Sequence, residues 1–248
     1  MSKLPKITLA FWIMKIAATT LGETAGDMLS MTLKVGYVAS SILLFLGFLV
    51  TVALQLRAKR YIPGLYWLVI VATSTSGTTI SDMMDRTFEL GYPAGSAILL
   101  TILAAIFAFW YSTGESLAVD EAHSPRVELL YWTTILFSNT LGTALGDFLA
   151  DSSGLGFAGG AALIGGLIAL VVVLHFTTRL SKVALFWIAF VLTRPFGAQF
   201  GDVLTKSHEK GGLDLGTMGS SAVLAGILLI FVLRATKQEA THPPAAAA

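Results

Sequence analysis

Residues 12–27 read Trp12-Ile-Met-Lys15-Ile-Ala-Ala-Thr-Thr20-Leu-Gly22-Glu23-Thr-Ala-Gly26-Asp27, and this stretch decides the fold. It is apolar enough for a membrane helix, yet it holds Lys15 and Glu23 and ends in Gly-x-x-x-Gly-Asp. It also recurs. Trp12, Trp67, Trp132 and Trp187 each precede an aspartate (Asp27, Asp82, Asp147, Asp202) by fifteen residues. An aromatic residue stands before each tryptophan (Phe11, Tyr66, Tyr131, Phe186), and a glycine five residues before each aspartate (Gly22, Gly77, Gly142, Gly197). A small residue directly precedes the aspartate: Gly26, Ser81, Gly146 or Gly201. So many positions at one spacing mark a fourfold internal duplication.

Around these stretches the chain is 55% hydrophobic and 12% charged, half the charge of an average soluble domain at about 25%. Residues 35–55, 91–114 and 154–173 carry no charge at all, and each reaches the ~20 apolar residues needed to cross a bilayer. Eight such segments would leave too few residues to cover them in water, so the expectation is an all-α, polytopic membrane protein with the lipid bilayer as a partner. A net charge of +1 argues against nucleic acid. The absence of cysteine excludes disulfides and thiolate metal ligands. Lys3 and Lys6 before an apolar run imitate a secretory signal, but Lys15 breaks that run and the segment recurs, so it reads as a first, uncleaved span.

The expected helices cover residues 7–31, 35–56, 62–84, 91–112, 127–149, 154–177, 182–204 and 215–233, within a single domain over residues 1–235. Residues 236–248 read as a disordered cytoplasmic tail. The repeats are then two-helix hairpins over 7–56, 62–112, 127–177 and 182–233. Successive aspartates lie 55, 65 and 55 residues apart, the additional residues falling in the mid-chain connection. An even number of helices per repeat makes all four parallel, about an axis along the membrane normal, as a pseudo-fourfold or pseudo-twofold bundle. One side of the bundle collects Lys3, Lys6, Arg57, Lys59, Arg60, Arg126, Arg179, Lys182, Arg234 and Lys237, the other only Lys34, Arg86, Lys206 and Lys210. The positive-inside rule puts the first side, and both termini, in the cytoplasm of a bacterial inner membrane. The tryptophans then serve as anchors at the cytoplasmic interface, and the aspartates lie ~22 Å further out at a common depth.

Small residues four apart let helices approach closely, so Gly22, Gly26, Gly77, Ser81, Gly142, Gly146, Gly197 and Gly201 are expected packing positions. The aspartates carry the sharper signal, because a carboxylate in a membrane span costs at least ~2.5 kcal/mol and persists where it is paired or lines a cavity. Glu23 and Thr20 share the face of Asp27 at i−4 and i−7, and Thr75 and Thr140 correspond to Thr20. These oxygens suit a hard cation such as Mg, Ca or Mn. The competing reading makes the aspartates helix caps or headgroup contacts. Lys15 and Arg194 are the intramembrane cations, expected to pair with Glu23 or an aspartate. Arg194 occupies the position of Thr19, Ser74 and Asn139, so the ring is chemically uneven and Lys15, Arg194 and Asn139 are candidates for charge coupling. Asp85, Arg86 and Asp151 are expected at the solvated outer ends. His123, His208 and His242 fall in loops or the tail, and His175 near a helix end.

With these residues in view, the chain resembles a family of bacterial membrane proteins built from four tandem copies of a repeat of unknown function, each with two membrane helices and a characteristic tryptophan. The match rests on Trp12, Trp67, Trp132 and Trp187 with their Gly-x-x-x-small-Asp ends and runs over residues 7–235. It implies the architecture and no activity. Glu23-Thr-Ala-Gly26-Asp27 is also similar to the Glu-x-Gly-Asp signature of cation/proton exchangers, with one residue more and in the first repeat alone.

No Walker loop, nucleotide fingerprint or His-Glu-x-x-His occurs, so an enzyme is not expected and no cofactor is implied beyond a divalent cation as substrate. The leading expectation is a secondary transporter for Mn²⁺ or another small cation, proton-coupled, because a carboxylate in low dielectric holds its proton more tightly and can exchange it for a cation. A non-transporting scaffold or regulator, and an anion or organic-solute carrier using Lys15 and Arg194, are the alternatives. An intramembrane aspartyl hydrolase would need two aspartates rather than four. Oligomeric state is not readable.

Overall fold

The computed structural model describes residues 3–118 and 124–241, and is all-helical. Eight α-helices run in order: α1 Leu9–Asp27, α2 Tyr37–Arg57, α3 Pro63–Asp82, α4 Tyr92–Ser112, α5 Pro125–Asp147, α6 Gly156–Thr177, α7 Lys182–Thr205 and α8 Thr217–Thr241. Thr8, Ser124 and Ser181 begin α1, α5 and α7 by accepting a backbone N–H in the first turn, which satisfies one of the unpaired donors there. Pro63 and Pro125 occupy first-turn positions, where the missing N–H costs nothing. The expected tail differs in extent: α8 continues through Thr236 to Thr241. Residues 242–248, with His242, and His123 lie outside the described residues.

The duplication is visible in the turns. After each of Asp27, Asp82 and Asp147 the helix widens into one π turn, Met28–Thr32, Met83–Thr87 and Phe148–Ser152. There Leu33, Phe88 and Ser153 donate to carbonyls five residues back, at 2.8–3.0 Å. All four connections then use paired left-handed residues: Lys34 and Gly36, Glu89 and Gly91, Gly154 and Gly156, Asp214 and Gly216. The fourth repeat lacks the π turn and carries instead a longer loop with a 3-10 turn at His208–Lys210.

Helices α1, α3, α5 and α7 form an inner ring, α1 packing on α3 and α7, and α5 on the same two. The outer helices correct the simple hairpin picture. Each repeat is a hairpin in connectivity, but α2 packs on α3, α4 on α5 and α6 on α7, the inner helix of the following repeat in each case. Helix α8 packs on α1 and completes the circle.

The small residues dictate this geometry. A Cβ on Gly22 would lie 2.2 Å from the Ser74 Cβ, on Gly77 2.9 Å from the Asn139 carbonyl carbon, on Gly142 2.3 Å from the Arg194 Cγ, and on Gly197 2.3 Å from the Thr19 Oγ1. Each inner helix thus seats the next against one glycine, four times around. One turn on, Gly26 faces Thr78, Gly146 faces Ala198, and Gly201 faces Glu23 in the same sense.

The aromatic residues repeat that circle at the opposite end from the aspartates. Phe11 meets Trp67, Tyr66 meets Trp132, Tyr131 meets Trp187, and Phe186 meets Trp12, at ring separations of 5.5–5.9 Å. Three of the four tryptophans expected as interfacial anchors turn inward. Trp67, Trp132 and Trp187 are buried and Trp12 is half-buried. Aromatic edges prefer other rings, each such pair adding about 0.5–1.5 kcal/mol beyond area, and the Trp187 indole N–H is satisfied by the Leu117 carbonyl at 3.0 Å.

Helices α2, α4, α6, α7 and α8 are long and apolar enough to cross a membrane. The outer four keep only 17–22% of their apolar window buried, against 56% for α7, and present Leu43, Leu100, Leu170 and Leu229 outward. Helices α1, α3 and α5 are less apolar because they face the axis with Lys15, Glu23, a Thr-Ser run and Asn139.

The glycine seats give a direct test. Gly22→Ala must push α3 away and lowers stability by about 1–3 kcal/mol. Gly47→Ala, where a Cβ meets nothing within 4 Å, leaves the thermal midpoint unchanged or raises it; melting of the detergent-purified variants compares the two.

Candidate functional site

Steps of four residues along each inner helix place corresponding side chains in stacked layers around the ring axis. The first is the aromatic layer Phe11, Tyr66, Tyr131 and Phe186, in which the Tyr66 and Tyr131 hydroxyls share a 2.7 Å hydrogen bond. Next come Lys15, Ile70, Ile135 and Phe190, all at 0% exposure. Then follow Thr19, Ser74, Asn139 and Arg194, then Glu23, Thr78, Thr143 and Ala198, and finally the four aspartates. At the aromatic end Lys3 reaches Glu128 at 2.6 Å and donates to the Leu56 carbonyl at 3.0 Å.

In the middle of this column Arg194 of α7 and Glu23 of the adjacent α1 pair, Nη1 to Oε2 at 3.0 Å, both buried. The other guanidinium nitrogen donates to the Thr78 hydroxyl at 2.5 Å and the Thr143 hydroxyl at 2.6 Å. Each hydroxyl in turn donates to Glu23 Oε2 at 3.3 Å. All four repeats meet here through one carboxylate, one guanidinium and two bridging hydroxyls. A buried ion pair offsets its desolvation only as far as its remaining donors and acceptors are engaged; here both Nη atoms are, while Arg194 Nε has no hydrogen-bond partner among the described residues.

The aspartates are buried and paired by two cations that charge counting had assigned to outer loops. Arg86 Nε lies 3.0 Å from Asp82 Oδ1, and its Nη2 3.2 Å from Asp147 Oδ2. Lys206 Nζ lies 2.7 Å from Asp27 Oδ2 and 3.0 Å from Asp202 Oδ1. Burial opposes the charge on both, yet the flanking aspartates outweigh it and raise the Lys206 and Arg86 pKa values above the ordinary range. Asp27, Asp82 and Asp147 do not cap the turns that follow them. Glu23, Asp27 and Asp202 each bring one oxygen within 4.8 Å of the others, a spacing compatible with one shared metal ion.

Several expected site residues lie elsewhere. The hydroxyls of Thr20, Thr75 and Thr140 donate back to their own helices, to the carbonyls of Ile16, Val71 and Leu136 at 2.9–3.1 Å; the axial stripe runs at i−4 and i−8 instead of i−7. Among the described residues Lys15 meets no carboxylate. Its nitrogen lies 4.1 Å from the Phe190 ring centre and has no hydrogen-bond partner among the described residues. Asn139 donates to Thr73 at 2.9 Å rather than engaging Arg194. Asp85 is buried, its carboxylate against Gly95, whereas Asp151 is exposed as expected. Arg86 and Lys206 were the residues missed. Their signal was present, a base four residues after the aspartate in the second and fourth repeats and in neither of the others.

The family described as Repeat of Unknown Function (DUF347) matches residues 10–61, 65–116, 130–181 and 185–241. Its four matches coincide with the four repeats and cover most of the chain, which belongs to this family. No curated protein and no solved structure matches the sequence.

Burial pushes the Asp85 carboxyl up to about 6, against the pull of the Ser81 hydroxyl and the Arg86 guanidinium. A raised carboxyl pKa favours the fold at low pH, and that contribution is lost as pH rises through about 6. Asp85→Asn should therefore melt higher than the parent near pH ~8 but not near pH ~4; an equal shift at both pH values would show that Asp85 does not titrate in this range.

Proposed function

We propose that this chain, a member of a repeat family to which no activity is attached, is a multi-pass carrier for a small hard cation such as Mn²⁺ or another divalent metal, exchanged for protons. The observation that supports it most is a charge imbalance. Glu23, Asp27, Asp82, Asp147 and Asp202 face three cations, Arg86, Arg194 and Lys206. With every group of this ion-paired set ionised, and Lys15 standing apart from it, two negative charges remain, the complement of one divalent cation or two protons. The oxygen-only donor set favours a hard ion.

In this reading all eight helices span a bacterial inner membrane as four parallel repeats, the outer helices against lipid and the polar inner helices around the axis. The lysine and arginine distribution orients the aromatic end and both termini toward the cytoplasm. The acidic layer opens toward the other side, where the Lys206 side chain is 20% exposed. Below it the Arg194–Glu23 pair, the Ile70–Ile135–Phe190 layer and the aromatic layer block the axis, so passage requires Arg194 and Glu23 to part. Neutralising the acidic layer with a metal or protons changes the field on that pair, and this couples occupancy to opening. The carrier is not an enzyme and uses no cofactor.

One observation favours a second reading. The unpaired Lys15 amine, one layer from Arg194, is what an anion or organic-solute carrier would hold in reserve. A scaffold without transport predicts instead that the acidic residues matter for stability alone.

In vesicles reconstituted with the purified protein, Asp27→Asn and Asp202→Asn should each reduce Mn²⁺ flux at least ~10-fold while the protein still melts cooperatively. Unchanged flux of every cation tested would remove the carrier reading. Loss of folding without ion-dependent stabilisation of the parent would favour the scaffold.

A further inference from the structure

The two halves of the acidic layer hold their cations differently. On the Arg86 side a planar guanidinium is fixed from several directions. It pairs with Asp82 and Asp147, donates to the Tyr37 hydroxyl at 3.2 Å, and has its central carbon 5.8 Å from the Tyr37 and Tyr92 rings. Such a fork is pre-organised and keeps its charge. On the Lys206 side a single ammonium on a four-carbon stem touches Asp27 and Asp202; Asp202 Oδ1 is buried without a hydrogen bond, as Asp82 Oδ1 is on the Arg86 side. Among the described residues, this half alone has a third carboxylate, Glu23, in range.

The backbone beneath Lys206 is anchored. Its N–H bonds the Asp202 carbonyl at 2.9 Å, and its own carbonyl accepts from Asp214 at 3.0 Å. The loop folds back so closely that a Cβ on Gly212 would lie 2.0 Å from the Lys206 carbonyl oxygen. The side chain can thus leave the acids by rotation about its own bonds, without melting α7. Position 206 lies between the buried acids and the solvent beyond the loop.

We infer that Lys206 is a tethered occupant of the Glu23–Asp27–Asp202 site, holding the place of a divalent cation and gating the site by withdrawing its ammonium, while the Arg86 half is a permanent structural clamp. The inference rests on the carrier reading for its substrate class and adds which half binds and what competes there. A bound divalent ion replaces one ammonium charge with two positive charges among three carboxylates. Displaced into water, the ammonium regains hydration.

Equilibrium Mn²⁺ binding to the detergent-purified full chain, read by the loss of the free-ion electron paramagnetic resonance signal, tests this without transport. Lys206→Met, which removes the competitor, should tighten Mn²⁺ binding at least ~10-fold, and Lys206→Arg, which replaces it with a better-held fork, should weaken it. Arg86→Met should leave the affinity unchanged or lower it. Glu23→Gln in the Lys206→Met background should reverse the gain. If Lys206→Met binds no tighter than the parent, or Arg86→Met tightens binding equally, the tether is wrong. Should Lys206→Met fail to fold, an Lys206→Arg variant that binds as tightly as the parent overturns it as well. Flux that depends on Asp27 with no competition by Lys206 sinks this inference alone. Competition by Lys206 with no flux in any variant sinks the carrier and leaves a gated binding site.

Discussion

Four glycines set how near the inner helices come, and the remaining geometry follows from that distance. At Gly22, Gly77, Gly142 and Gly197 any Cβ would meet the next helix at 2.2–2.9 Å, so the ring closes with side chains of the neighbouring helix pressed onto bare backbone. That contact fixes rotation as well as separation. It turns the residues at four-residue steps toward the axis and puts the four aspartates, four aromatic residues and the layers between them at shared levels. A wider ring would leave Arg194 short of Glu23, and would admit water between groups whose pairing depends on low dielectric.

The backbone treats the repeats alike, whereas the side chains at the axis do not. Glu23 stands at the position of Thr78, Thr143 and Ala198 in the other repeats, and Arg194 at that of Thr19, Ser74 and Asn139. One acid and one base therefore serve four helices, and losing either would leave an uncompensated buried charge, a change that typically costs about 3–5 kcal/mol. Pairing at the aspartate level has lower symmetry again. Arg86 and Lys206 each join the aspartate of their own repeat to that of the next, dividing the four acids into two pairs. The protein is a fourfold frame with a twofold charge arrangement and a single axial ion pair.

Much of this was legible in the chain because repetition exposes it. The Trp-to-Asp spacing gave helix positions within a few residues, and Asp27, Asp82, Asp147 and Asp202 could be placed at one level. Three features were not legible, each for a physical reason. The one-repeat shift of the outer helices depends on lateral packing, and uniformly apolar faces such as that of α6 carry no directional mark. The inward turn of Trp67, Trp132 and Trp187 reflects ring-to-ring contact between repeats, which composition cannot distinguish from an affinity for headgroups. Arg86 and Lys206 stood in segments counted as loops, so their four-residue spacing from Asp82 and Asp202 went unused. Thr20, Thr75 and Thr140 failed differently: a threonine hydroxyl on a helix can satisfy itself on its own backbone, as these do.

The contact of α8 with α1 has a bearing on how the molecule assembles. Every other outer helix leans on a neighbour that follows it directly in the chain, so most seams can zip as the polypeptide lengthens. The first helix is the exception: its flank and its junction with α7 must wait for partners from the far end of the sequence. Arg194, carried on α7, reaches Glu23 only at that final joining. The costliest charges in the interior thus meet last, and the earlier arcs must leave Glu23 in contact with water until the circle shuts.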